Sequence, residues 1–119
     1  MEFLKILYNK LFNKPKQEDV DYNMKKINKL YKELEYNVNE LNVLMDKIEE
    51  MENSTDESTI YKMEELHSQE FMLCIKNVGI YEDLIDTLNK TPETFENQFI
   101  LKRIRTKANE LLQVEIIQL

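Results

Sequence analysis

The chain has 119 residues, a net charge of −7, 42% hydrophobic and 33% charged side chains, one glycine, two prolines and one cysteine. This length makes a single domain with a modest core, and three Gly and Pro residues cannot supply the turns of a β-rich fold. The lone Cys74 closes no internal disulfide, and the negative charge opposes non-specific phosphate binding, so nucleic acid is not an expected partner.

No apolar run approaches the ~20 residues of a membrane-spanning helix. The amino terminus starts like a signal peptide, but Lys5, Asn9 and Lys10 interrupt it and no small-residue cleavage site follows. A cytoplasmic location is expected, with peripheral membrane attachment as the second reading.

Residues 1–15 form the first unit, a short amphipathic helix. At 100° per residue Phe3, Leu4, Leu7, Tyr8, Leu11 and Phe12 share one arc, Glu2, Lys5, Asn9 and Asn13 oppose it, and Ile6 is the misfit. Pro15 removes an amide donor and disfavours helical backbone at Lys14, so the helix stops there. Packing across one end of the domain suits this pattern. So does lying in a membrane interface, for which Phe3, Leu4, Leu7, Leu11 and Phe12 are the contact candidates. A third use is docking in another protein's groove.

The second unit, 16–119, is a helical bundle with helices at about 20–52, 55–89 and 92–117. In the first, Val20, Met24, Ile27, Tyr31, Leu34, Val38, Leu41, Met45 and Ile48 alternate four and three apart, a heptad seam. Leu30, Leu44 and Met51 widen the seam beyond that of a bare coiled coil, as a bundle helix requires. Ser54 with Glu57 three residues on spells a capping box, so a hairpin is expected there rather than one continuous helix.

The next seam runs Ile60, Met63, His67, Phe71, Cys74, Val78, Tyr81, Ile85 and Leu88, thickened by Leu66, Leu73, Ile75, Ile80 and Leu84. This helix is expected to be the most buried. Gly79 within it predicts either a close backbone approach or a mild kink. Thr91-Pro92-Glu93 reads as N-cap, first helical residue and dipole partner of the last helix, with Phe95, Phe99, Ile104, Ala108 and Leu111 inward and Leu101 and Leu112 beside them. Long helices joined by short turns must run up, down and up. The expected fold is all-α: an antiparallel bundle of three long helices plus a short amphipathic N-terminal helix.

Little in the chain spells chemistry. Glu64 and His67 have metal-ligand spacing, but a di-iron bundle needs a second histidine and the chain has one. A phosphotransfer histidine must be exposed, and the seam points His67 inward. Cys74 has no histidine three or four residues away to activate it. Residues 33–65 hold eleven carboxylates against Lys47 and Lys62, a local charge of −9, without the glycine of a calcium loop. Lys102, Arg103, Arg105 and Lys107 cluster in the last helix, where acids of the first two long helices or of a protein partner would pair with them. The apolar end holding Val114, Ile117 and Leu119 completes the contact candidates.

With no nucleophile–base pair, phosphate loop or metal cluster, no catalytic, cofactor or metal residue is expected. The predicted function is non-enzymatic: binding a protein partner as adaptor, regulator or accessory subunit, with self-association as one form of it. The alternative is a membrane surface contacted through residues 1–14.

Overall fold

A computed structural model of the chain describes residues 2–5, 16–53 and 56–118, with side chains described through Gln113. Among the described residues the structure is nearly all helix and contains no strand. Residues 2–5 are helical (α1); α2 is Gln17–Met51, α3 is Glu57–Lys90 and α4 is Gln98–Gln118. The radius of gyration is 20.1 Å, well above the ~13.5 Å of a compact domain of this length. The overall extents are 70 × 25 × 17 Å, so the molecule is a rod.

The seam expected in α2 is the one that is buried. Val20, Ile27, Leu34, Val38, Leu41 and Ile48 are buried, and Met24, Tyr31 and Met45 are half-buried. Glu18 and Asp19 in its first turn complement the helix dipole. The helix ends at Met51, and α3 starts anew at Glu57, so the break is a hairpin. Its cap is not Ser54, which lies outside the described residues. Asp56 takes extended backbone and accepts from the Ser58 amide at 3.4 Å and from the Ser58 hydroxyl at 3.1 Å. Packed on each other and joined by so short a link, α2 and α3 run in opposite directions.

The end of α3 also differs from expectation. Thr91 precedes Pro92, which drives its backbone extended (φ −82°, ψ 120°), so Thr91 closes α3 instead of opening α4. Its amide donates to Leu88 O and its hydroxyl to Thr87 O. The cap of α4 is a reciprocal pair three residues later. The Asn97 amide donates to Thr94 Oγ1 at 3.2 Å, and the Thr94 amide to Asn97 Oδ1 at 2.7 Å. This is a capping box with asparagine where glutamate or glutamine is usual, which hides it from pattern matching.

That shift moves the inward line of α4. Asn97, Leu101 and Ala108 are buried, and Ile104 and Leu111 half-buried, at 4-3-4-3 spacing. Phe95 and Phe99, expected inside, are exposed: Phe95 lies in the turn before α4, and Phe99, at 75%, is off that line on the outer side of the helix. The helix runs back along α3: Arg105 donates to Asn89 Oδ1 at 2.9 Å, and the Tyr81 hydroxyl to Asn109 Oδ1. Advancing along α3 therefore means retreating along α4.

The core is at one end of the rod. Ile27, Leu34, Val38, Ile80, Leu84, Leu88, Leu101 and Ala108 form one buried cluster with contributions from all three long helices. Beyond Val38 on α2 and before Asn77 on α3, the described side chains of the hairpin pack as a pair.

Candidate functional site

The surface that stands out is on α3, and it follows from a helix with two apolar lines. One line, Leu66, Leu73, Asn77, Ile80, Leu84 and Leu88, is buried or half-buried and faces α2. The other is the seam read from sequence, rotated from the first by roughly a quarter to a third of a turn. At the core end this second line meets α4 through Tyr81, Ile85 and the neighbouring Asn89. Toward the hairpin tip, apart from Met63 and Cys74 on its inner edge, it is open. Ile60, His67, Phe71 and Val78 are exposed, Phe71 at 65%.

The expectation that α3 would be the most buried helix therefore fails. So does the inward placement of His67, since a heptad fixes a face but not what covers it. Gly79 also has an exposed position, and among the described residues nothing lies within 4 Å of where its Cβ would be, so no described backbone approaches it.

Phe71, Met72, Ile75 and Val78 together form an exposed apolar patch, with Met72 63% and Ile75 53% accessible. Next to it, on the side away from α4, lies an open groove of about 590 Å³ between α2 and α3. Val43, Leu44, Met72 and Leu73 make its apolar part, and Glu40, Lys47 and Lys76 its charged rim. Ser68 and Gln69 complete its lining. Among the described residues no three His, Cys, Asp or Glu side chains gather where they could hold a metal ion. Cys74 is buried between the two apolar lines.

The other candidates are scattered. Of the basic cluster, Lys102, Arg103 and Lys107 are exposed and Arg105 is half-buried, its partner an asparagine rather than an acid. At 100° per residue the four spread over about 200° of the helix, opposite its buried line, instead of making one narrow stripe. Arg103 lies close enough to act on Tyr31, whose hydroxyl donates to Glu35 at 2.9 Å. Burial first, and then the Glu35 carboxylate, raise the Tyr31 pKa above its ordinary 10.0. Lys90 pairs with Asp86 one turn earlier at 2.8 Å, and that carboxylate raises its pKa.

At the amino terminus Phe3 and Leu4 are exposed, Phe3 at 74%. Leu7, Leu11 and Phe12 lie outside the described residues, as do the side chains of Val114 and Ile117 and all of Leu119. No described helix is long and apolar enough to cross a membrane.

Sequence reasoning named Phe71 and Val78 as seam residues but missed them as surface. The available signal was the width of the stripe, which is more than two neighbours of this length can cover. No protein family matches the chain, and no curated protein or solved structure does either.

Proposed function

We propose that the chain is a non-enzymatic, cytoplasmic helical bundle that works by binding another protein, as an adaptor, regulator or accessory subunit. In this reading α2, α3 and α4 are the antiparallel up-down-up bundle and residues 1–15 a short amphipathic appendage. The observation that carries it is the exposed patch Phe71, Met72, Ile75 and Val78 beside the α2–α3 groove. Scattered exposed apolar residues are normal, whereas a contiguous patch flanked by charge marks a contact surface.

A photo-crosslinking residue at position 71, in the cells that make the protein, tests this. A discrete protein adduct that disappears when Ile75→Glu is added, and that does not form from position 22 at the other end of α2, supports the reading. Absence of any protein adduct removes it.

The second reading is a membrane surface contacted by residues 1–14, favoured by the exposure of Phe3 and Leu4 next to Lys5. Co-sedimentation with anionic vesicles of the full chain but not of Leu4→Glu, released by salt, would support it. Equal behaviour of the two proteins would remove it.

A further inference from the structure

The open line on α3 continues an interface that the molecule already uses. From Ile85 and Tyr81 the same face runs on through Val78, Phe71 and Ile60 toward the tip. What covers it at the core end is a helix, α4, so the geometry accepts another helix along the same track. Charge then selects among helices. The line carries the exposed Glu64 and Glu82 and borders the 33–65 region, whose local charge is −9. An occupant must be apolar on one side and cationic on the other.

Residues 1–16 of this chain have that chemistry. They carry Lys5, Lys10, Lys14 and Lys16 against Glu2, a charge of +3, around the apolar arc Phe3, Leu4, Leu7, Leu11 and Phe12. The described part of this segment, residues 2–5, is helical and exposed, with Phe3 at 74% and Leu4 at 59%, so both have apolar surface left to bury. As a helix it does not reach this line on its own bundle. Met72 and Leu73 share the groove with Val43 and Leu44, so Phe71 lies level with about residue 44 of α2. That level is roughly 40 Å from Gln17, whereas a fifteen-residue helix spans about 22 Å.

We infer that the amino-terminal segment of one copy docks on the α3 line of a second copy, as a cationic amphipathic helix seated on Val78, Phe71 and Ile60. This rests on the protein-interaction reading and specifies its partner as the chain itself. The acidic tips need not meet, because each strip is covered by the positive end of the other molecule. Removing Phe71 or Leu4 from the contact deletes one large buried apolar side chain, which weakens association about tenfold or more.

The test uses full-length chains in sedimentation equilibrium. Wild type is expected to associate to at least twice the monomer mass, less so as salt rises. Phe71→Glu and Leu4→Glu should each be monomeric at the same concentration while melting as wild type, since both side chains are exposed. Phe71→Glu adds negative charge, so a purely electrostatic attraction to the cationic segment would strengthen. The decisive arm mixes the two variants: each supplies what the other lacks, and association returns. Phe99→Glu, on the outer side of α4, leaves the mass unchanged.

A wild-type monomer at all concentrations overturns the inference, as does association indifferent to both substitutions. So does a mixture that stays monomeric. If the chain is monomeric but position 71 still crosslinks to a different protein, only the self-docking falls and the protein-interaction reading stands. If it is monomeric and Leu4→Glu abolishes vesicle binding, the segment belongs to a membrane instead.

Discussion

The two ends of the rod are built from the same helices and differ in what surrounds them. At the core end three helices enclose Ile27, Leu34, Leu84 and Ala108 with no exposed surface at all. At the tip end two helices do the same work with fewer neighbours: Leu66 and Ile48 are buried, yet Phe71, Met72 and Ile75 stand open on the same α3. A two-helix layer can shield one stripe per helix, whereas α3 carries two. The surplus stripe is part of the core where Tyr81 and Ile85 pack against it, and from Val78 to Ile60 it is largely exposed.

Truncation mutants should separate the ends most sharply. Leu84→Ala opens a cavity inside three helices and is expected to cost about 2–5 kcal/mol. Leu66→Ala, at the edge of two helices, should cost about half as much because its surroundings can relax. Urea unfolding followed by circular dichroism gives both values. Equal losses would mean that the tip is as well packed as the core, and the contrast would collapse.

The boundary between the ends is marked by polar residues. Asn37 and Asn77 are buried in α2 and α3 at about the same level, and among the described residues the Asn37 Nδ2 group has no hydrogen-bond partner. A buried unsatisfied amide costs about 1–3 kcal/mol, so Asn37→Leu should raise the melting temperature. One function of such a residue is to fix the pairing of helices. Broadened amide resonances in the variant would show that register is lost as stability rises, and an unchanged or lower melting temperature would mean that Asn37 finds a partner in solution.

Gly79 gives a smaller effect of the same sign. With open space where a Cβ would sit, Gly79→Ala should stabilise α3 by up to about 1 kcal/mol through helix propensity alone. A destabilised variant in thermal melts would indicate a neighbour absent from the single chain.

The smallest effect is on pH dependence. Tyr31 at the core end has a folded pKa raised above 10, so its contribution to stability is complete below that value. It is lost as pH climbs from about 10 through the raised folded pKa, because the unfolded chain releases the proton first. Tyr31→Phe should flatten that part of the alkaline stability profile, and an unaltered slope would assign the fall to other groups.

Several features were legible without coordinates. The α2 seam from Val20 to Ile48 was read residue by residue, because one partner line fixes a heptad whatever its surroundings. Pro92 announced a break, and the Asn-Ser-Thr-Asp run after Glu52 announced a hairpin. Local chemistry ends helices regardless of tertiary context, although Asp56 and Thr94 rather than Ser54 and Thr91 turned out to be the caps. Of the candidate contact residues, Phe3 and Leu4 are exposed, Phe3 at 74%.

The use of each stripe was decided by tertiary structure alone. Periodicity puts Phe71, Val78, Tyr81 and Ile85 on one face of α3, but which of them meets α4 depends on where that helix starts. The Thr94–Asn97 cap sets that start and, through Arg105–Asn89 and Tyr81–Asn109, how far along α3 it reaches. The sequence determined the helices, their breaks and their apolar faces because these arise within a few residues of one another. Which face became core and which stayed surface was set by contacts between residues far apart in the chain, which no local pattern encodes.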